Sequence, residues 1–373
     1  MKYYIIAGEA SGDLHAANLM RELKKLDGDA RFRAWGGELM ENQGAGLVKH
    51  YRDLAFMGFA EVIANLGTIY KNLSLCKKDI VDYSPDVLIL VDYPGFNLRM
   101  AEFAHRKGFR VFYYISPQVW AWKKSRVHKI RKYVDRMFVI LPFEQEFYKK
   151  YEVDVSFVGH PLLDAIEAEK QKLGTLQEFK TAYGLDHRPI IAILPGSRKQ
   201  EISTMLPVMA SVIPDFPDYQ FIIAAAPSIP DDFYTHLLPA NHIKKVTGKT
   251  HELLHHSIAA LVTSGTATLE TALLGIPQVV CYKGNYVSYQ IAKRIVDIKY
   301  ISLVNLIMDK EVVTELIQRE MNRTRLSTEL KKLISGEKRQ QILADYDKLR
   351  EKLGGTGASE LAAKLMIGEL GKL

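Results

Sequence analysis

The chain has 373 residues, 47% hydrophobic and 25% charged. That is a globular balance, too long for one ordinary core, and it predicts two α/β-sized domains. A net charge of +7 and a pI near 9.0 point to anionic partners, either phosphorylated substrates or an acidic membrane surface. No zinc-finger spacing, aromatic RNA-binding signature or basic low-complexity tail speaks for nucleic acid, and no apolar run is long enough to span a bilayer. Cys76 and Cys281 stand far apart, outside any Cys-x-x-Cys or His/Cys cluster, which predicts no metal, no cofactor and a reduced cytoplasmic setting.

Strand-like and helix-like runs alternate almost throughout, the pattern of parallel sheets built from βαβ units. Lys2–Ala7 predicts a strand, Gly8-Glu-Ala-Ser-Gly-Asp13 a loop and Leu14–Leu26 a helix. Met1–Gly8 turns into that loop too soon to read as a signal peptide. The loop lacks the G-x-G-x-x-G spacing, and the next strand, Ala30–Trp35, ends in Gly36-Gly37 rather than an acidic residue. It is therefore not a dinucleotide fingerprint, and with no Gly-Lys-Ser/Thr it is not a P-loop. It is still a glycine turn at the carboxyl end of a first strand, where α/β sheets place ligands. Ser11 and Asp13 either serve that site or simply cap the helix.

Phe59, Val62, Ile63, Leu66, Ile69, Tyr70 and Leu73 share one helical face, with Lys71, Lys77 and Lys78 close behind. Such a face is either core or an interfacial element that dips into a membrane or grips acyl chains. Val87–Val91 predicts a strand that delivers Asp92 just before Pro94, a fitting position for a general base or for a turn-initiating Asp. Asn97 either orients a substrate or caps the helix Leu98–Arg106. Strands at Arg110–Ile115 and Arg136–Leu141 flank Tyr114–Trp122 and a predicted helix, Lys123–Tyr133. A helix carrying Lys123, Lys124, Arg126, Lys129, Arg131, Lys132 and Arg136 gathers seven cations, which exceeds a normal solvated face and suggests an anionic surface or a phosphate. His160, in Phe157-Val-Gly-His-Pro161, is a cleft residue or a structural turn histidine.

The polar segment Glu167–Leu185 is expected to connect the domains. A second strand series follows at Pro189–Leu194, Tyr219–Ala225, Ile258–Thr263 and Ile276–Tyr282. In Leu194-Pro-Gly-Ser-Arg198, Gly196 and Ser197 bring backbone amides, and Arg198 a planar fork, to a helix starting near Gln200. Ser264-Gly-Thr-Ala-Thr-Leu-Glu270 repeats that logic with Gly265, Thr266 and Ala267 at a helix start and Glu270 one turn on, placed to accept from a ribose diol. Together the two turns predict a nucleotide-diphosphate site in the second half. Glu337–Leu353 and Ser359–Leu370 read as closing helices.

These stretches, with Leu54–Gly58, Leu141–Glu144 and Tyr300–Leu306, occur in an order that resembles bacterial lipid-A-disaccharide synthases. The resemblance implies a GT-B glycosyltransferase fold, two Rossmann-like parallel-sheet domains facing a cleft. An acceptor- and membrane-binding domain at 1–168, with C-terminal helices from about 337 to 373 packing back on it, would join a UDP-sugar-binding domain at 169–336. It implies inverting, metal-independent transfer of 2,3-diacylglucosamine from UDP to the 6-hydroxyl of 2,3-diacylglucosamine 1-phosphate, giving the β-1′,6-linked disaccharide 1-phosphate and UDP. It also implies a cytoplasmic enzyme peripheral to the inner membrane of a Gram-negative bacterium, and a homodimer that in some members exchanges C-terminal helices.

Carried over by position, Asp92 is the base. Gly196, Ser197, Arg198, Ser264, Gly265, Thr266, Ala267, Glu270 and Asn305 bind the UDP donor. Glu9, Ser11, Gly12, Asn97, Gln118 and His160 lie toward the acceptor, and Phe59, Val62, Ile63, Leu66 and Ile69 contact membrane or acyl chain. Gly95 stands where the family often has a second Asp, so Asp92 serves alone, and Val304 stands where proline is usual. Two other readings stay open: another UDP-sugar enzyme of this fold, such as a UDP-N-acetylglucosamine 2-epimerase, and a non-catalytic nucleotide-sugar-binding protein.

Overall fold

The computed structural model describes residues 1–54, 66–121, 124–170, 173–238, 243–285, 289–290 and 298–371. Two compact units form, Met1–Pro161 with Leu353–Leu373, and Leu162–Lys352. The first is a seven-stranded parallel sheet ordered β3-β2-β1-β4-β5-β6-β7. Its strands are β1 (Lys2–Ala7), β2 (Arg31–Gly36), β3 (Gly46–His50), β4 (Val87–Val91), β5 (Arg110–Tyr114), β6 (Arg136–Val139) and β7 (Val155–Phe157). The second is six-stranded, ordered β10-β9-β8-β11-β12-β13. It comprises β8 (Ile190–Leu194), β9 (Gln220–Ala225), β10 (Lys244–Thr247), β11 (Ser257–Thr263), β12 (Gln278–Tyr282) and β13 (Glu315–Ile317). Both belong to the doubly wound α/β class expected from the alternating runs.

The central strands are buried on both faces, which is why they read as unbroken apolar runs. Every residue of β4 (Val-Leu-Ile-Leu-Val) and of β8 (Ile-Ile-Ala-Ile-Leu) is inaccessible or nearly so. Each valine, leucine and isoleucine among them contributes roughly 1.5–3 kcal/mol through removal from water. In each sheet the chain reverses winding direction between the first strand and its other neighbour, β1/β4 in one and β8/β11 in the other. The carboxyl ends of the strands at such a switch point are where doubly wound sheets place their ligands.

The unit boundary differs from the expected one. The chain crosses between units at Pro161/Leu162 and again at Lys352/Leu353, while most of Glu167–Leu185 is taken up by the helices Leu162–Lys170 and Leu176–Ala182, with Phe179 in the second core. Helix Glu337–Lys352 also groups with the second unit. Its Ile342, Tyr346 and Leu349 are buried, and the Tyr346 hydroxyl accepts from Gln278 Nε2 at 3.3 Å. Only the last helix, Ala358–Leu370, returns to the first unit, where it packs on Ala10–Leu26.

Candidate active site

The second unit carries a cavity of about 460 Å³ at the carboxyl ends of β8, β9 and β11, on its switch point. Gly196, Ser197, Arg198, Ser264, Gly265, Thr266, Ala267 and Glu270 all line it. Two helices begin at its wall, Lys199–Ala210 with Arg198 as N-cap and Thr266–Leu273 with Gly265 as N-cap, and neither cap satisfies its helix with a side chain. Their first backbone N–H groups are thus available to an anion. Gly265 sits at φ +156°, ψ −164°, a region open essentially to glycine alone. Gly196 has φ +108°. Arg198 is 65% exposed, its fork unburdened by packing.

Glu201, which the sequence reading passed over, fills part of this seat. Its carboxylate accepts from the Ser197 N–H at 3.3 Å and from Arg198 Nη1 at 3.0 Å, and a Cβ added to Gly196 would meet Glu201 Oε2 at 2.8 Å. The signal was present: a Glu three residues after an N-cap commonly reaches back over the helix start.

Asn305 lies elsewhere. It is fully buried, its Nδ2 donating to Val313 O at 2.8 Å and Glu315 Oε1 at 2.9 Å, and its Oδ1 accepting from Val312 N and Val313 N. Glu315 also accepts from Ile301 N, Ser302 N and Ser302 Oγ. This network holds the Ile301 carbonyl where Ser264 Oγ donates to it at 3.0 Å. Asn305 therefore braces the wall of the cavity, and its amide is spent on that task. Val304 is completely buried beside it.

In the first unit, Asp92 leaves the end of β4 and Glu9 the end of β1, neighbours at that sheet's switch point. Asp92 and Tyr93 both have left-handed backbone, φ +44° and +48°, a strained turn of the kind kept at functional sites. Fully buried Asn97 holds it there, donating to Asp92 O at 2.7 Å and Val91 O at 3.2 Å, while Tyr113 donates to Asp92 O at 2.5 Å. Gly8 is required on the other side, because a Cβ there would meet the Tyr93 ring at 2.3 Å. Burial first, and then the Glu9 charge, push the Asp92 carboxyl up to about 6. With Gln118 and Arg126 it lines a cavity of about 180 Å³. A Cβ on Gly95, at the start of the following helix, would meet nothing within 4 Å.

Of the other acceptor-side residues, Glu9 and Ser11 are exposed and Gly12 is packed against Ala7. Asp13 is structural: it accepts from Gly37 N, Leu39 N and Met40 N, capping the short helix Glu38–Asn42. His160 is buried, and burial with the neighbouring His15 pushes its imidazole down to about 3, so it stays neutral. Glu144, in the Leu-Pro-Phe-Glu stretch, lies fully inside below the Gln118 loop. It accepts from Leu141 N at 3.0 Å, and burial raises its carboxyl to about 7.

The amphipathic stretch divides. Phe59, Val62 and Ile63, and the side chain of Leu66, lie outside the described residues. In helix Leu66–Tyr83, Leu73 belongs to the core and Ile69 packs against it, whereas Tyr70 is 69% exposed. The cationic helix is shorter than expected, Val127–Tyr133, and Arg136 is on β6. Several of its cations meet partners within the unit: Lys129 with Glu102, Arg131 with Glu152, Arg136 with Glu369 and Asp154. Lys123 lies outside the described residues.

Residues 3–367 match the family described as lipid-A-disaccharide synthetase. The chain belongs to that family. It is 40% identical to the lipid-A-disaccharide synthase of Geobacter metallireducens over 99% of this chain and 97% of that one. It is also 40% identical to that of Syntrophus aciditrophicus, over 97% and 96%. Among solved structures, it resembles UDP-GlcNAc 2-epimerase from Neisseria meningitidis bound to UDP-GlcNAc, with a TM-score of 0.65, 14% identity and 100% of each chain covered. The calicheamicin glycosyltransferase CalG4 matches with a TM-score of 0.62 and 14% identity over 99% and 98%. At such identities these likenesses speak for the fold, two Rossmann-like parallel-sheet units as in GT-B glycosyltransferases and epimerases. Family membership makes the chain a glycosyltransferase of lipid A assembly.

Proposed function

We propose that the chain transfers 2,3-diacylglucosamine from UDP to the 6-hydroxyl of 2,3-diacylglucosamine 1-phosphate, with Asp92 as the base and the second-unit cavity as the UDP seat. The observation that carries the donor half is the convergence of the Gly196–Arg198 turn and the Ser264–Glu270 turn on one cavity. The substrates follow from the family.

The acceptor oxygen attacks the sugar C1 while its proton passes to the Asp92 carboxylate. The bond from C1 to the diphosphate oxygen breaks, its electron pair leaves with UDP, and attack opposite the leaving group inverts C1. A carboxyl raised to about 6 is ionised at neutral pH yet more basic than an ordinary aspartate, which suits this step. Arg198 and the N–H groups at the two helix starts take up the charge growing on the leaving diphosphate, and Glu270 accepts from the ribose hydroxyls. As the diphosphate enters, it replaces the Glu201 carboxylate on Ser197 N–H and Arg198.

We further propose peripheral association with the inner-membrane surface and a homodimer. Support for the membrane comes from the pI, from Tyr70 exposed on helix Leu66–Tyr83, and from a neighbouring cavity of about 640 Å³ that brings Lys77, Arg99 and Lys107 together with Phe103. Among the described residues no helix is long and apolar enough to cross a membrane.

Purified protein given UDP-diacylglucosamine should release UDP only when diacylglucosamine 1-phosphate is added, with a disaccharide 1-phosphate seen by mass spectrometry. Acceptor-independent release, or an epimerised donor, would point to a different UDP-sugar reaction. Serine at Phe59, Val62 and Leu66 should weaken sedimentation with anionic vesicles while turnover of short-chain substrates persists; retained sedimentation would remove that stretch from the membrane contact.

A further inference from the structure

A second cavity, about 530 Å³, lies behind the Glu270 wall and shares Pro227, Thr250 and Glu270 with the first. His251 stands on this partition, in helix Thr250–His255 just after β10. Its Nδ1 is hydrogen-bonded to the carboxylate of Glu169, on helix Leu162–Lys170. Its Nε2 lies 3.7 Å from Glu270 Oε2, on helix Thr266–Leu273. One ring therefore ties three helices of the second unit together, and one tie ends on the carboxylate assigned to the ribose.

A glutamate side chain has three rotors to fix before it can accept from two hydroxyls at once, and fixing them in advance strengthens binding. Only the doubly protonated ring donates from both nitrogens; a neutral imidazole can serve one carboxylate and leaves the other untied. The charged groups around the ring are Glu169 and Glu270 from two other helices, and Lys249 and Glu252 beside it, which pair with each other at 3.4 Å.

We infer that His251 is a positioning residue for the donor ribose: held by Glu169, it fixes the Glu270 carboxylate in the orientation that accepts from the 2′,3′-diol. The inference rests on the reading of Glu270 as the diol acceptor. Glu270 foremost, and Glu169 with it, raise the His251 pKa above its ordinary 6.5. A raised histidine keeps its charge below 6.5 and loses it as pH climbs through the raised value. Diol-dependent affinity therefore declines on the alkaline side.

The test is equilibrium binding of UDP and of 2′,3′-dideoxyuridine 5′-diphosphate to the full chain at pH 6.5 and 8.5. Wild type, Glu270→Gln, His251→Ala and Glu169→Gln are compared, the last an isosteric change at a half-exposed side chain. Charge-assisted hydrogen bonds to the diol should give wild type about a 10-fold or larger preference for UDP at pH 6.5. That preference should shrink at pH 8.5. His251→Ala and Glu169→Gln should cut it at pH 6.5 by about 3-fold or more, without changing dideoxy affinity, and His251→Ala should abolish its pH dependence. If Glu270→Gln loses the preference while His251→Ala and Glu169→Gln keep it, His251 has no positioning role and the diol reading stands. If Glu270→Gln itself keeps the preference, the ribose assignment falls, and this inference with it.

Discussion

The two sheets put the same turn of the winding to opposite uses. In the second unit the loops at the β8/β11 switch point stand apart around about 460 Å³ and present glycine backbone, hydroxyls, an exposed arginine and two helix starts. In the first unit the β1/β4 switch point is drawn together: the Tyr93 ring lies on Gly8, and Asp92 keeps a pocket of about 180 Å³. An open, amide-lined crevice stabilises a charged diphosphate. A closed one desolvates a carboxylate and makes it a better base. Topology sets where a ligand or a reactive group sits, and the residues of the first turn after each strand set which it is.

Exchange of a single group at either switch point separates the two roles. The largest effect is expected for Asp92→Asn, which should lower turnover by about 10²- to 10⁴-fold with UDP affinity unchanged; a parallel loss of UDP binding would merge the two roles. Arg198→Ala should weaken UDP by about 10- to 100-fold in titration calorimetry. Arg198→Lys should recover only part, because the ammonium lacks the planar fork. Asp92→Asn should also stabilise the fold. A carboxyl whose folded pKa is raised from 3.8 to about 6 costs stability once pH rises through that interval. The variant should therefore match wild type near pH 4 and exceed it by about 1–3 kcal/mol above pH 6 in denaturant melts. The smallest effect is at Glu201: Glu201→Gln should tighten UDP by about 2- to 5-fold, since the displaced partner pair is solvent-exposed. Weaker binding would mean that Glu201 holds Arg198 in place for the donor.

The same contrast explains what the sequence disclosed. Each strand expected from it is present, within a residue or two at either end, and each is interior to its sheet. The four that went unread, β3, β7, β10 and β13, are the four edges. They are short and half-exposed, so they carry no continuous apolar run. The two glycine turns that meet on one cavity of the second unit were legible because glycine, hydroxyl and arginine at a strand–helix junction are local signals. Asn305 misled because a buried amide that braces a loop looks in sequence like one that binds a ligand. His251 and Glu169 meet across 82 residues, a juxtaposition only the folded unit creates.

The proposed role of Asp92 as a desolvated base is tested most directly by the pH dependence of kcat/KM for disaccharide formation. The rate should fall as pH drops through about 6, where Asp92 takes up its proton, and Glu9→Gln should move that inflection to lower pH by removing the nearby charge. A profile flat from pH 7 down to the ordinary carboxylate range, unmoved by Glu9→Gln, would contradict it.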